Sequence, residues 1–259
     1  DQWEEATGGF STSNTIVDLN AHLASFASEI GTGTFYFKAF LHSDGTQAVE
    51  LDELSLTFYN PPQAPSNFAG NPLTSTSIQW SWTDNSDDES GFKIYDENGQ
   101  EIADLPADTT SYTETGLSPN SQYTRYVKAY NNYGYSDASN TVTVTTLANT
   151  PAIKSLEALS AITAKIIIET NNNPADTQYL VYCPTNGLYL QASGYLASYQ
   201  SWLTFAQLGE DEGIVIKGLS AGTEYEFQVK AKNSDGTETA WSLSKLITTP
   251  EAAEENITE

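Results

Sequence analysis

The chain has 259 residues, which is enough for two or three small domains that each bury a core of their own. It carries 34 acidic and 10 basic residues, giving a formal net charge of −24 at pH 7. Binding to a nucleic-acid backbone or to an anionic membrane surface requires clustered Lys and Arg, so this composition excludes both as partners.

The other bulk features indicate an exported chain without crosslinks. Cys183 is the only cysteine, so neither an intrachain disulfide nor a cysteine-based metal site can form. No apolar run approaches the ~18 residues of a membrane-spanning helix, and we predict no direct membrane insertion. Because the sequence lacks Met and begins at Asp1 without a signal peptide, we interpret it as a processed or excised piece of a longer secreted protein.

Residues 1–60 predict a few strands, of which Thr15–Leu19, Thr34–Leu41 and Leu51–Tyr59 are the clearest. The run Tyr36–Phe58 resembles the closing strands of bacterial exported jelly-roll domains. Because so few strands bury too little apolar surface for a complete sandwich, we predict a partial jelly-roll-like β-sandwich here. Its exposed edges predict strand addition, either in cis by strands upstream or in trans by another chain.

A stiff, proline-containing linker at 60–65 leads into a domain predicted at residues 61–148. Ile78, Trp80 and Trp82 alternate along one strand, which predicts that all three face a core.

Two local signals mark the turns of this domain. The pair Asn98-Gly99 separates two β-forming runs and predicts a hairpin with a type I′ turn, which requires positive φ at both residues. Further on, Leu117 and Pro119 lead into Tyr123, which opens a strand. This pattern is typical of a tyrosine corner, in which the hydroxyl is hydrogen-bonded to upstream backbone.

The stretch Thr83–Thr146 closely resembles a bacterial fibronectin type III domain, and the loop Trp82–Phe92, with the sequence W-T-D-N-S-D-D-E-S-G-F, is part of the likeness. The resemblance implies an antiparallel β-sandwich and a broad extracellular role, and it names no ligand.

An internal repeat predicts a second domain of the same kind at residues 149–250. Leu219–Tyr225 repeats the tyrosine-corner pattern 102 residues after Tyr123, and Asn233 follows Asn131 by the same interval. The second copy diverges from about residue 152 and carries a Tyr- and Gly-rich insertion at 184–213. An acidic tail or linker follows at 251–259.

Aligning the repeats exposes one anomaly at Arg125. Tyr225, Phe227 and Val229 share one strand face, and Arg125 occupies the position of Phe227 on that face. Because an unpaired buried charge is very costly, we predict that Arg125 forms a salt bridge or hydrogen bonds to backbone carbonyls near the end of the sandwich.

The sequence contains little that indicates catalysis, and we predict that the protein is not an enzyme. The two histidines, His22 and His42, lie in the partial N-terminal sandwich, and neither a G-x-S-x-G nor an H-E-x-x-H motif occurs. Cys183 lies on an apolar strand, which favours a small buried hydrophobe over a nucleophile. Paired acids for glycoside hydrolysis require a cleft that small sandwiches rarely provide.

The loop Asp84–Glu89 clusters oxygen ligands of the kind that calcium prefers. It lacks the spacing of an EF-hand, and turn and capping roles of Asp and Asn explain it better. We therefore predict no cofactor and no metal site, with calcium at a domain junction as the open alternative.

Exposed aromatic rings beside polar groups suit sugar rings or a protein partner, and four tyrosines are the candidate ligand-binding residues. They are Tyr133 and Tyr135 of the first domain and Tyr189 and Tyr195 of the insertion. For Tyr199 and Trp202, the strand-like spacing favours packing of the insertion onto its sheet.

These features predict an all-β protein of tandem antiparallel β-sandwiches, immunoglobulin-like and fibronectin III-like, preceded by a partial jelly-roll-like sandwich. The first functional hypothesis is a non-catalytic structural or adhesive segment of a secreted bacterial cell-surface protein, which assembles into filaments or a surface layer by strand complementation with other copies or other surface proteins. The alternative is an accessory spacer or carbohydrate-binding region of a polysaccharide-degrading enzyme, because such enzymes carry fibronectin-like domains.

Overall fold

The computed structural model describes residues 60–253. The predicted strands of residues 1–59, with His22 and His42, and most of the predicted acidic tail lie outside the described residues. Within the described part the chain forms two antiparallel β-sandwiches, so the all-β class is confirmed.

The first sandwich consists of eight strands in two facing sheets. The three-stranded sheet has the order β1-β2-β5, and in the other sheet β4, β3 and β6 are neighbours, with β7 and β8 both paired to β6. The strands are β1 (Ser66–Thr74), β2 (Ser77–Thr83), β3 (Gly91–Asp96), β4 (Glu101–Pro106), β5 (Ser111–Thr115), β6 (Gln122–Asn131), β7 (Gly134–Tyr135) and β8 (Val142–Thr145).

The core of the first sandwich forms because alternate residues of β2 point inward. Ile78, Trp80 and Trp82 are all buried, as the alternation predicts. The Trp80 ring stacks on Phe68 at a centroid distance of 5.4 Å, and Trp82 packs against Phe92 at 5.6 Å. These aromatic contacts join β1 and β2 of one sheet to β3 of the other.

The hairpin at Asn98-Gly99 is present between β3 and β4, but the predicted type I′ turn is wrong. Gly99 has a φ of 79°, whereas Asn98 is not among the residues with positive φ. The Asp96 carboxylate accepts hydrogen bonds from the amides of Asn98 (2.9 Å) and Gln100 (2.8 Å). The Asp96 side chain therefore stabilises a longer loop with one left-handed residue, and the register of the two strands shifts between Ile94 and Tyr95.

The second sandwich repeats the strand order of the first. Its three-stranded sheet has the order β15-β10-β9, and the larger sheet runs β13-β12-β11-β16-β17, with β14 also paired to β11. The strands are β9 (Ala152–Ser160), β10 (Thr163–Glu169), β11 (Gln178–Cys183), β12 (Leu188–Leu190), β13 (Leu196–Ala197), β14 (Leu203–Thr204), β15 (Ile214–Lys217), β16 (Glu224–Lys232) and β17 (Lys245–Thr248).

The insertion at 184–213 is part of this sheet rather than a loose loop. Its strands β12 and β13 extend the sheet beyond β11, and two short 3-10 turns, Ala206–Leu208 and Glu210–Glu212, lead back to β15. Three leucines of the insertion are buried in the same core as the strands: Leu190, Leu203 and Leu208. The insertion thus supplies the local core that a segment of its length requires.

Candidate functional site

Arg125 lies on the core face of β6 and forms an ion pair across the first sandwich. Its guanidinium donates to both carboxylate oxygens of Glu114, with Nη2–Oε1 at 2.6 Å and Nε–Oε2 at 3.1 Å. Glu114 belongs to β5 of the facing sheet, and its Oε2 also accepts a 2.8 Å bond from Trp80 Nε1. Arg125 and Glu114 are 7% and 6% exposed, so the geometry is a buried bidentate pair of the kind that the repeat alignment predicts for Arg125.

The strand pairing shows what replaces this cluster in the second sandwich. Glu114 faces Ile78 across β2 and β5, and Ile216 faces Ala164 at the corresponding place of β10 and β15. Phe227 occupies the position of Arg125, and both Ile216 and Phe227 are fully buried. One sandwich therefore has a polar cluster where the other has an apolar contact.

Each sandwich has the same tyrosine contact near the start of its long strand, β6 or β16. The Tyr123 hydroxyl accepts a 2.8 Å hydrogen bond from the Ser118 amide, and the Tyr225 hydroxyl accepts a 2.9 Å bond from the Ser220 amide. In both cases the tyrosine bonds to backbone five residues upstream, which is the contact that defines a tyrosine corner.

The four candidate ligand-binding tyrosines lie on two different sandwiches and do not form one site. Tyr133, in the turn between β6 and β7, and Tyr135, in β7, are each 52% exposed. Tyr135 packs against Tyr130 with a centroid distance of 5.9 Å and an angle of 46° between the ring planes. On the second sandwich, Tyr195 is 55% exposed, whereas Tyr189 is half-buried.

Tyr199 is exposed, so its predicted packing onto the sheet is wrong. Its side chain is 66% exposed, while the backbone around it is ordered by Gln191. The Gln191 amide donates to the carbonyl oxygens of Tyr189 and Tyr199, both at 3.0 Å, and the Gln191 backbone amide donates to the Tyr195 carbonyl at 2.9 Å. One buried amide thus fixes the hairpin that presents Tyr195 and Tyr199.

A row of aromatic rings and lysine ammonium groups lies on the outer face of the larger sheet. The Nζ atom of Lys230 lies 4.5 Å from the ring centroid of Trp241 and 5.7 Å from that of Trp202. We call this row the aromatic–lysine ladder; in order it comprises Tyr189, Tyr182, Trp241, Lys230, Trp202 and Lys232. Each cation over a ring contributes an electrostatic attraction in addition to packing.

Sequence reasoning missed this ladder because its members come from separate parts of the chain. Trp202 belongs to the insertion, Lys230 to β16 and Trp241 to the segment before β17. One feature of the sequence could have indicated the ladder: Lys230 and Lys232 are two residues apart on β16, so both side chains must lie on its outer face.

The two sandwiches are joined by buried hydrogen bonds around Asn120. Its side-chain amide donates to Thr177 Oγ1 at 2.9 Å, and its Oδ1 accepts the Ser234 backbone amide at 2.7 Å. Asn233 adds a 3.1 Å bond to the carbonyl of Thr146. Asn120, Thr177, Asn233 and Thr146 are all buried, so these bonds form the inside of the junction.

The short connection between the sandwiches is held by the loop that follows β10. The Asn149 amide donates to Asn173 Oδ1, and Asn173 Nδ2 donates back to the Asn149 carbonyl, both at 2.7 Å. Asn171 Nδ2 donates to the Thr150 carbonyl at 2.7 Å. The connection is therefore hydrogen-bonded on both sides of Asn149.

The repeated asparagine noted in the sequence has the same role in both sandwiches. Asn233 bonds to the carbonyl of Thr146, just before the second sandwich, and Asn131 Nδ2 bonds to the carbonyl of Asn60, just before the first, at 3.1 Å. In each case the turn after the long strand fixes the incoming backbone.

The acidic loop forms the turn contacts that its composition predicts, and it also approaches a second loop. Asp84 Oδ1 accepts the Ser86 amide at 3.0 Å, which is an Asx turn. Glu89 reaches the loop between β4 and β5, where its Oε1 accepts the Asp108 amide at 3.1 Å.

Two shallow grooves lie on the second sandwich, and neither has the paired carboxylates of a hydrolase. One, of about 440 Å³, lies beside Trp241 and has Lys245 as its only ionisable side chain. The other, of about 280 Å³, lies beside the junction and holds Asp176 and Lys232. Burial raises the pKa of the Cys183 thiol, which is the opposite of what a nucleophile requires. No helix among residues 60–253 has the length and apolar character to cross a bilayer.

Comparisons with known proteins agree with this architecture. The family model of the fibronectin type III domain matches residues 63–145. The chain is 29% identical over 193 residues to Exoglucanase B of Cellulomonas fimi, covering 73% of this chain and 17% of that protein. It is 30% identical over 202 residues to Chitinase A1 of Niallia circulans, covering 73% of this chain and 26% of that protein.

Among solved structures, a two-domain fibronectin type III segment of chicken tenascin aligns with a TM-score of 0.49 at 14% identity, covering 71% of this chain and 99% of that one. The chain spans about a quarter or less of the two bacterial relatives it matches. Residues 63–145, with their facing sheets and tyrosine corner, are therefore a fibronectin type III domain.

Proposed function

We propose that the chain is a non-catalytic accessory segment of a secreted bacterial polysaccharide-degrading enzyme, in which the two sandwiches hold neighbouring parts of the protein at a fixed separation. The observation that carries this proposal is the buried junction around Asn120, which bonds to Thr177 and to Ser234 of the second sandwich.

A junction of this kind restricts rotation between the sandwiches for a physical reason. Separating them leaves the buried polar atoms of Asn120 and Thr177 without their partners until water enters, and each unpaired buried group costs about 1–3 kcal/mol. The connection through Asn149 cannot compensate by flexing, because Asn173 bonds to its amide and its carbonyl. A spacer needs this property, since a freely rotating linker would not keep a fixed separation.

The relatives support the choice of enzyme class. An exoglucanase and a chitinase, both from bacteria, match about three quarters of this chain, and the matched part is a minor fraction of each. The two grooves described on the second sandwich lack paired carboxylates, which fits a segment that lies beside a catalytic domain carried elsewhere in a longer protein. The net charge of −24 favours an exported chain that stays dispersed.

The spacer function is tested by measuring the distance distribution between the sandwiches. Spin labels are placed at the exposed positions Thr113 and Ser198 in a Cys183→Ala background, and double electron–electron resonance is recorded on the full chain. We expect one narrow distance that broadens at least twofold in Asn120→Gly. Glycine keeps the positive φ of 43° that Asn120 adopts, so only the side-chain bonds are lost.

The matched control is Asn132→Gly, which makes the same chemical change at an exposed turn away from the junction. A distribution that is already broad in the unsubstituted chain would contradict the rigid spacer. So would a distribution that is equally narrow in Asn120→Gly.

A second function, carbohydrate binding, is favoured by the exposure of Tyr195 and Tyr199, which are 55% and 66% exposed on one ordered hairpin. Flat rings on a hairpin whose backbone is held by a buried amide suit the faces of sugar rings. Co-sedimentation of the full chain with insoluble cellulose or chitin tests it. Binding that is lost in Tyr195→Ala and Tyr199→Ala but kept in Tyr133→Ala would support a polysaccharide partner, and no retention by either polymer would contradict it.

The self-assembling, adhesive role remains a separate proposal, because the partial sandwich of residues 1–60 lies almost wholly outside the described residues. Size-exclusion chromatography with multi-angle light scattering of the full chain separates the two roles. Polymers would favour strand donation between copies at a cell surface, and a monomer at high concentration would favour the accessory segment.

A further inference from the structure

We infer that the first sandwich carries a calcium-binding site formed by Asp84, Glu89 and Asp108. One carboxylate oxygen of each residue lies within 4.8 Å of the others. Asp84 and Glu89 belong to the loop between β2 and β3, and Asp108 belongs to the loop between β4 and β5. Two loops that are distant in sequence therefore direct three negative charges at one point.

The burial and the missing hydrogen bond of Glu89 indicate that a cation lies between the three carboxylates. Glu89 is only 9% exposed, and its Oε2 is fully buried without a hydrogen-bond partner. Its other oxygen accepts a single bond, from the Asp108 amide. A buried carboxylate normally accepts several bonds or pairs with a positive group, because burial of a lone charge is very costly.

Among residues 60–253, no basic side chain forms an ion pair with Glu89 and neutralises its charge. The ion pairs of this part of the chain involve other acids: Glu101 and Asp104 with Lys93, Glu114 with Arg125, Asp211 with Lys154, and Glu238 with Lys230. Three carboxylates at this separation repel each other, and a divalent ion between them reverses the sign of the interaction.

The kind of site favours calcium over magnesium. Calcium accepts oxygen ligands at about 2.3–2.6 Å in a flexible geometry, whereas magnesium, at about 2.0–2.1 Å, demands a near-ideal octahedron that oxygens from two separate loops meet less readily. Asp108 is exposed, which leaves room for water to complete the coordination shell. With three protein ligands, we expect a dissociation constant of about 10⁻⁴–10⁻³ M, which is the range of extracellular calcium modules.

The experiment titrates calcium into the chelator-treated full chain by calorimetry and repeats the titration with terbium, whose luminescence is excited through Trp82, two residues before Asp84. Hydrogen-exchange mass spectrometry with and without calcium locates the site. We expect slower exchange in peptides that contain residues 84–90 and 106–110.

Glu89→Gln is the decisive variant, because glutamine has the same shape and still accepts the Asp108 amide. We expect it to weaken calcium binding at least tenfold. Asp87→Asn is the matched control: it removes one charge from the same loop at an exposed residue that is not part of the cluster, and we expect less than a twofold change.

Two results would overturn the site. One is the absence of any saturable calcium signal up to about 10 mM, an order of magnitude above the weakest constant expected for such modules. The other is an equal loss in Glu89→Gln and Asp87→Asn, which would show diffuse attraction of cations by an acidic surface. A Glu89→Gln chain that has lost binding but melts at the temperature of the calcium-free parent supports the site, because the variant is then folded.

Discussion

The buried cluster of Trp80, Glu114 and Arg125 makes a quantitative prediction, because the second sandwich supplies its apolar replacement. The perturbation is Glu114→Ile, which introduces the residue found at the equivalent position, Ile216. It leaves the guanidinium of Arg125 buried without its carboxylate. Breaking a buried ion pair by removing one partner costs about 3–5 kcal/mol, and this should be the loss in the free energy of unfolding of the first sandwich.

The double variant Glu114→Ile/Arg125→Phe should be less costly than either single one. It removes both charges and leaves one orphaned donor, Trp80 Nε1, which costs about 1–3 kcal/mol. The two single variants, Glu114→Ile and Arg125→Phe, should together cost roughly 6–10 kcal/mol, so the double-mutant cycle should show strong coupling.

The assay is urea unfolding of the full chain, followed by tryptophan fluorescence and by hydrogen exchange of peptides from β2 and β6. The control Glu101→Gln alters the partly exposed pair with Lys93, where about 1 kcal/mol or less is expected. A loss below about 1 kcal/mol in Glu114→Ile, or a double variant as unstable as the sum of its parts, would refute the reasoning.

Three further predictions test the cores. Gly70→Ala should destabilise the first sandwich by about 1–3 kcal/mol, because the new methyl carbon would lie 2.4 Å from the Trp80 ring. Asn71→Ala, at the exposed neighbouring residue, should change the free energy of unfolding by less than about 0.5 kcal/mol, and urea unfolding midpoints measure both effects. The Cys183 thiol should resist a thiol reagent in the native chain and react as urea unfolds the second sandwich, because burial raises its pKa and hides it; native labelling at the rate of a free thiol would contradict this. Burial raises the pKa of Tyr179 from 10.0 to about 12, so the unfolded chain loses the hydroxyl proton at a lower pH than the folded chain does. The free energy of unfolding should therefore fall between pH 10 and pH 12, by up to about 3 kcal/mol. Urea titrations at pH 9 and pH 11 measure this fall, and Tyr179→Phe should remove it.

The strands and cores could be predicted because their signals are local. Alternation in β2 depends only on the neighbouring residues, and Ile78, Trp80 and Trp82 are buried as that alternation predicts. The tyrosine corner also lies within a few residues of sequence. The predicted domain limits, 61–148 and 149–250, remain predictions.

Features that depend on distant partners could not be predicted in the same way. Glu114 is an ordinary strand residue until Arg125 approaches it from the facing sheet. Asp108 lies 19 residues from the Glu89 carboxylate that accepts its amide, in a turn whose composition indicates nothing more. The prediction for Tyr199 was wrong for a related reason. Strand-like spacing indicates that side chains alternate between two faces, but it does not indicate which face packs against the sheet.

The sequence signal for Asn120, the residue at the junction, appears only when the two repeats are aligned. Asn120 and Gly222 occupy the same place before the two tyrosine corners, and both have positive φ, 43° and 59°. Glycine meets the backbone requirement of that turn without a side chain, and asparagine is among the few other residues that tolerate it. At this position the two turns differ by the side-chain amide, and the bonds of that amide to Thr177 and Ser234 give the difference a function. Asparagine at this place equips a sandwich to bond to the one that follows, whereas glycine closes the turn without reaching beyond it.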